Sequence, residues 1–188
     1  DENRKIILGV GRLTKQKNFK YLIDEFEKFV RENNDYCLYL IGDGEEKKDL
    51  EIVIKKKQLQ NKVFLLGFKK NIFYYMKKSK IFVLSSLWEE VGFAMVEASI
   101  NNSYLICSDC PNGPTEFLNL GKNGILFSSN KEDELYESFK KYDKLNEKKI
   151  YDDKLTLKKK ALKYSKFRHF LKIEEILSSN EIVKIDLD

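Results

Sequence analysis

The sequence predicts an α/β fold: a doubly wound parallel sheet of about six strands, followed by C-terminal helices. Two observations carry that expectation. Short runs rich in Ile, Val, Leu and Phe alternate with longer stretches whose apolar residues recur at helical spacing, the mark of repeated β-α units. Gly9, Gly11, Gly42, Gly44 and Gly67 lie at or just beyond the ends of those runs. That is the edge at which an open parallel sheet receives ligands, and repeated glycines there mark loops that let backbone come close to one.

The strands expected in order are Lys5–Val10, Tyr36–Ile41, Lys62–Leu66, Lys80–Leu84, Tyr104–Cys107 and Gly124–Phe127. Between the first two, Leu22, Ile23, Phe26, Phe29 and Val30 fall on one helical stripe, which needs a sheet to cover it. Further crossovers are expected near Glu45–Lys57, Asn71–Lys78 and Gly92–Asn101, and Lys-rich helical segments from about Glu132 to Leu177. Residues 1–177 then form one domain, with the sheet in 5–127 and a helical extension in 131–177, and 178–188 reads as a loosely held tail.

At 188 residues, 42% apolar and 35% charged, the chain can bury one core and cover it with a solvated shell. The net charge of +5 is spread along the sequence, which argues against nucleic acid and fits solvated lysine-rich helix faces. Mild attraction to anionic substrates or to an anionic membrane surface is the other use of such charge. The expected location is the cytoplasm, with contact at the inner face of the membrane left open. Asp1 in place of an initiator Met reads as the cut start of a longer polypeptide. Cys37, Cys107 and Cys110 are an odd count without a secretion signal, so no disulfide framework is expected. The C-x-x-C of Cys107 and Cys110 lacks further zinc ligands and is followed by Pro111 and Gly113, which suits cysteines at a strand end. The single histidine, His169, stands far from the other candidate groups and is assigned to surface or packing.

The segment richest in chemistry is Trp88-Glu89-Glu90-Val91-Gly92-Phe93-Ala94-Met95-Val96-Glu97-Ala98, directly after a strand ending in Leu84-Ser85-Ser86. With a helix starting near Gly92, Glu89 lies on the loop at the sheet edge and Glu97 in the second turn, so both can face one cleft. Free amides and the positive dipole end of a helix suit a diphosphate. Carboxylates have only acceptor oxygens and suit sugar hydroxyls. The pattern implies a ligand with hydroxyls at both ends and phosphates in the middle.

This segment resembles the E-x7-E motif of retaining glycosyltransferases of the GT-B fold, and specifically family 4. Its context strengthens the likeness: Gly11-Arg12-Leu13 with Lys17 after the first strand, Ile41-Gly42-Asp43-Gly44 after the second and Gly67-Phe68 after the third. Gly113-Pro114-Thr115-Glu116 and Asn123-Gly124-Ile125-Leu126 follow in order. The likeness covers Lys5 to Phe127 well and the remainder loosely.

The resemblance implies a Rossmann-like C-terminal domain, one half of a GT-B enzyme, whose N-terminal acceptor domain this chain does not contain. The activity implied is transfer of a hexose from a nucleoside-diphosphate sugar, a UDP-sugar being favoured, to a glycan or lipid-linked acceptor in polysaccharide biosynthesis. The isolated fragment is expected to be inactive. By the same likeness Arg12 and Lys17 hold the donor diphosphate, Glu89 the donor hexose hydroxyls and Glu97 the ribose, with Gly11, Gly92, Phe93 and Ala94 offering backbone. Phe68 lines the nucleobase or belongs to the core. Glu116 caps a short helix or orders the phosphate loop, capping being preferred. Glu90 stands where many members carry glycine. No metal and no cofactor are expected. A GT-B sugar-nucleotide epimerase, a phosphorylase and a non-catalytic nucleotide-binding module are the alternatives. No pyridoxal-phosphate lysine signature supports the phosphorylase, and no acidic cluster at the first strand end supports a receiver-like module.

Overall fold

Alternation along each strand sends successive side chains to opposite sides, and this decides the architecture. In the computed structural model, which describes residues 4–164 and Ile173, the strands are β1 (Lys5–Val10), β2 (Tyr36–Ile41), β3 (Val63–Leu65), β4 (Ile81–Leu84), β5 (Tyr104–Ser108) and β6 (Ile125–Phe127). They form one sheet in the order β3-β2-β1-β4-β5-β6, with every pairing parallel.

Helices cover both faces. On one, Ile7, Leu38, Leu40, Ile81, Val83, Tyr104 and Ile106 pack beneath α1 (Phe19–Glu32), α2 (Lys47–Lys56) and α6 (Glu134–Asp143). On the other, Leu8, Ile41, Phe82, Leu84, Leu105 and Cys107 pack beneath α3 (Ile72–Lys78), α4 (Phe93–Ile100), α5 (Pro114–Phe117) and α7 (Glu147–Ala161). The stripe Leu22, Ile23, Phe26, Phe29 and Val30 is buried along α1, as its spacing requires. Each such side chain contributes about 1.5–3 kcal/mol on burial.

Among the described residues the expected strands and the helices between them form, with ends shifted by a residue or two, and the late helical segment forms as α6 and α7. The third strand shortens from Lys62–Leu66 to Val63–Leu65. Cys107 ends up inside β5 and Cys110 just beyond it, both buried and free. Burial pushes both thiols up, which makes them poor nucleophiles. α7 is held by Asp153, which is buried and accepts from Tyr104 Oη at 3.0 Å, Lys149 Nζ at 2.7 Å and Asn123 Nδ2 at 3.3 Å. His169, the part of the late helical segment beyond Tyr164 apart from Ile173, and the expected tail lie outside the described residues. Among the described residues no helix is long and apolar enough to cross a membrane.

Strand order reverses beside β1: β2 and β3 extend one way, and β4, β5 and β6 the other. The loops leaving β1 and β4 therefore diverge at the carboxyl edge and open a crevice between them. In open α/β sheets this topological switch point is where ligands bind.

Candidate functional site

The loop after β1 is built by backbone. Gly11 N–H donates to Ile41 O at 3.0 Å and Leu13 N–H to Asp43 O at 2.9 Å, which fastens it to the loop after β2. This contact explains two glycines. A Cβ on Gly42 would lie 1.8 Å from Gly11 O, and one on Gly44 would lie 2.4 Å from Leu13 O. These glycines were expected to make room for a ligand; at Gly42 and Gly44 the room is taken by the chain's own backbone. Gly67 differs, because its Cβ direction is open.

A short 3-10 turn, Lys15–Lys17, continues the β1 loop and is clasped by the loop after β4. Ser85 Oγ donates to Lys17 O at 2.7 Å, Leu87 N–H to Gln16 O at 2.8 Å, and Gln16 Nε2 to Trp88 O at 2.9 Å. The clasp brings together two candidates 72 residues apart in sequence. Lys17 Nζ donates to Glu89 Oε1 at 2.5 Å, and Ser86 Oγ donates to the same oxygen at 2.6 Å. Both side chains of the ion pair are largely withdrawn from water, 17% exposed for Lys17 and 7% for Glu89. Glu89 Oε2 has no partner among the described residues and is left to accept from outside. Ser86 is itself held, its carbonyl accepting from Ser108 Oγ at 2.7 Å.

The Lys17 stem lies over Gly11, where any Cβ would meet Cε at 3.0 Å and Cδ at 3.1 Å. On the other side of Gly11 opens a cleft of about 440 Å³ bordered by Arg12, Gly42, Phe68, Lys69 and Ile72. Arg12 is exposed and has no hydrogen-bond or ion-pair partner among the described residues. Phe68 is 75% exposed on this rim, so it is a cleft residue and not a core one.

Gly92, at φ +71, caps α4 in the left-handed region that favours glycine. Phe93 and Ala94 open the helix, so their amides have no intrahelical acceptor. Phe93 is exposed and Ala94 half-buried. Glu97 lies in the second turn, half-buried, and its carboxylate has no hydrogen bond or ion pair among the described residues. Burial alone pushes its carboxyl above the ordinary glutamate value of 4.5. Glu89 turns to Lys17 and Ser86, and Glu97 stands apart from that pair with no contact to it.

Glu116 does not cap. Gly113 is the cap residue of α5, with no side-chain bond, and Glu116 sits inside the helix with its main-chain carbonyl accepting from Lys160 Nζ at 2.5 Å. Glu116 stands at the third position of α5, from which a carboxylate can reach back to the cap residue, but among the described residues it makes no such hydrogen bond. Sequence reasoning also missed Ser86 and Gln16. Both belong to contacts between distant loops, and a hydroxyl or amide in one loop carries no signal of its partner in the other. A second hollow of about 500 Å³ lies between α1 and α2. Its charges satisfy one another, Lys57 reaching Asp24 at 2.9 Å and Glu27 at 2.5 Å, so it reads as an ion-pair cluster.

The model of the family described as Glycosyl transferases group 1 matches residues 1–162. The chain is 32% identical over 160 residues to the Campylobacter jejuni N-acetylgalactosamine-N,N'-diacetylbacillosaminyl-diphospho-undecaprenol 4-alpha-N-acetylgalactosaminyltransferase, covering 84% of this chain and 42% of that one. It is 42% identical over 113 residues to an uncharacterized glycosyltransferase of Methanocaldococcus jannaschii, covering 60% and 28%. It superposes on Anabaena HepE, solved in complex with UDP and glucose, with a TM-score of 0.83 at 23% identity, covering 94% of this chain and 49% of that one. That likeness establishes the fold. The chain spans less than half the length of these curated relatives.

Proposed function

The chain belongs to the glycosyl transferases group 1 family, and on that premise we propose that it is the donor-binding half of a retaining, family 4 enzyme. The donor is a UDP-sugar, and the acceptor a glycan or a lipid-linked glycan. The observation that carries this reading is the convergence of Lys17, Glu89 and Ser86 at the switch point between β1 and β4. A neighbouring fold that holds UDP and glucose supports the choice of donor. A relative named for an undecaprenol-diphosphate acceptor supports the choice of acceptor.

The chemistry follows from charge. When the glycosidic bond to the nucleotide breaks, negative charge accumulates on the leaving diphosphate, and fixed cations there stabilise the transition state more than the ground state. Arg12 at the cleft and Lys17 beside it supply the cations, and the amides opening α4 supply aligned donors. Glu89, pinned through Oε1, offers Oε2 to a sugar hydroxyl. Glu97, a carboxylate without a partner, suits the paired hydroxyls of the ribose. Arg12, Lys17 and the amides opening α4 neutralise the diphosphate charge that a divalent ion would otherwise neutralise, so the proposed transfer needs no metal. Acceptor binding is assigned to a second domain of a longer polypeptide, and this chain alone then binds donor without transferring it.

The test is thermal unfolding of the chain with UDP, GDP and ADP. At 100 times the dissociation constant a ligand stabilises by about 2.7 kcal/mol, and UDP is expected to raise the melting temperature most. No shift with any of the three at millimolar concentration would remove the donor reading. Retention is checked separately, from the anomeric configuration of the product made by the longer enzyme.

A further inference from the structure

The outer side of α7 takes no part in the site described so far. Its inner side is set by Asp153, Leu157 and Ala161, all buried at a spacing of four. Its outer side carries Tyr151 and Leu155, exposed by 65% and 37%, and Leu162, in the 3-10 turn Leu162–Tyr164 that directly continues α7, is exposed by 54%. These stand at i, i+4 and i+11, and since eleven residues make just over three full turns, all three point the same way. Water-facing helix positions normally carry polar groups, and three apolar side chains in line along one helix form a stripe with no partner among the described residues.

The charges around the stripe say what covers it. Between Glu147 and Tyr164 the sequence has seven lysines against Glu147, Asp152 and Asp153, and Asp153 is buried and paired with Lys149. Lys148 and Lys159 are exposed beside the stripe. Next to it lies a groove of about 570 Å³ lined by Lys159, Lys160 and Lys163 together with Glu116, Thr156 and Tyr164. A loop tied to α7 through Lys149 Nζ to Lys122 O and Asn123 Nδ2 to Asp153 carries Leu120, which is exposed and held at φ +55. A branched side chain is strained in that region, which sets this leucine apart from ordinary surface.

A lysine-flanked apolar stripe on a helix is complementary to the headgroup region of an anionic bilayer: apolar side chains enter the acyl boundary and the ammonium groups meet lipid phosphates. We propose that the outer face of α7, Tyr151, Leu155 and Leu162 with Lys148, Lys159 and Lys163, docks this chain on an anionic membrane surface. The contact is peripheral. It rests on α7 and its loop alone and is independent of the donor reading, because none of Arg12, Lys17, Glu89 and Glu97 takes part.

The experiment is co-sedimentation of the 188-residue chain with vesicles of phosphatidylcholine alone or mixed with phosphatidylglycerol. The wild type is expected to pellet with the mixed vesicles only, and less as salt is raised. Lys159→Glu/Lys163→Glu is expected to weaken binding about fivefold or more for each lysine reversed. Tyr151→Glu/Leu162→Glu is expected to abolish it. Lys48→Glu/Lys55→Glu on α2, which covers the other face of the sheet, changes net charge equally and is expected to retain most binding. Melting temperatures check each fold, and if the apolar double variant is destabilised, the lysine pair still decides. Absence of wild-type pelleting overturns the proposal, as does an equal loss in the α2 control. Self-association of the wild type that Tyr151→Glu/Leu162→Glu removes, without vesicle binding, would assign the stripe to a second copy instead. UDP-induced thermal shifts are read on the same variants, so failure of the donor reading and failure of this one are separable.

Discussion

Lys17 and Glu89 form a largely buried ion pair and are the proposed donor ligands, and energetics separate the two roles. Removing Lys17 leaves Glu89 nearly buried with only Ser86 as a donor, so Lys17→Met is expected to cost about 1–3 kcal/mol of stability in urea unfolding. Lys17→Met/Glu89→Leu is expected to recover part of that loss, because no charge is left unpaired, while UDP affinity in calorimetry stays low. Full recovery of affinity would show that the pair is only structural. Glu97 behaves oppositely. Its carboxyl is raised by burial with no compensating cation, so the ionised form is less stable folded than unfolded. Stability from this group is complete below the ordinary value of 4.5 and is lost as pH rises through the higher folded value. Glu97→Gln is therefore expected to melt higher than wild type at neutral pH, with the difference vanishing at acid pH, and to bind UDP more weakly. A variant that melts no higher at pH 7 would contradict this. The candidates Lys17 and Glu89 were legible from motif and order. Their pairing was not, because it depends on the clasp through Gln16, Ser85 and Leu87, whose side chains are ordinary loop residues.

At the level of elements, the loops after β1 and β2 behave as one unit because Gly42 lets them touch. Gly42→Ala would drive a Cβ to 1.8 Å from Gly11 O, and a cost of about 3 kcal/mol or more is expected from overpacking backbone that cannot yield. Gly67→Ala is the control. Its surroundings are open, and at φ +67 the cost is confined to the left-handed backbone, about 1 kcal/mol. Denaturant midpoints of the two variants check the contrast, and equal midpoints would mean that the loops slide apart freely. Gly42→Ala is also expected to lower UDP affinity, since Gly11 carries the Lys17 stem. The central strands were readable because they bury both faces: runs such as Ile81–Leu84 are apolar throughout, as a central parallel strand demands. The caps were less so. Glu116 was read as a cap from its charge, yet Gly113 with φ +100 sets the start of α5.

Over the whole molecule, one sheet divides the chain into a functional edge and two helix-covered faces. β1 lies third in the sheet and first in the sequence, so the reversal of strand order, and with it the crevice, falls near the middle of the domain. The order of units was legible from the alternation of periods; the reversal itself was not, since local patterning says nothing about which strand pairs with which. The chain spans 42% of its Campylobacter relative and 49% of HepE, and the functional edge is what a donor-binding half would present to the rest of such an enzyme. One consequence concerns how this edge can be watched. The sequence has a single tryptophan, Trp88, and it sits half exposed in the clasp, its carbonyl held by Gln16 and its neighbour Glu89 held by Lys17. Its indole emission therefore reports from the crevice alone, and the molecule carries its own optical gauge of whether that crevice is open, filled or unclasped.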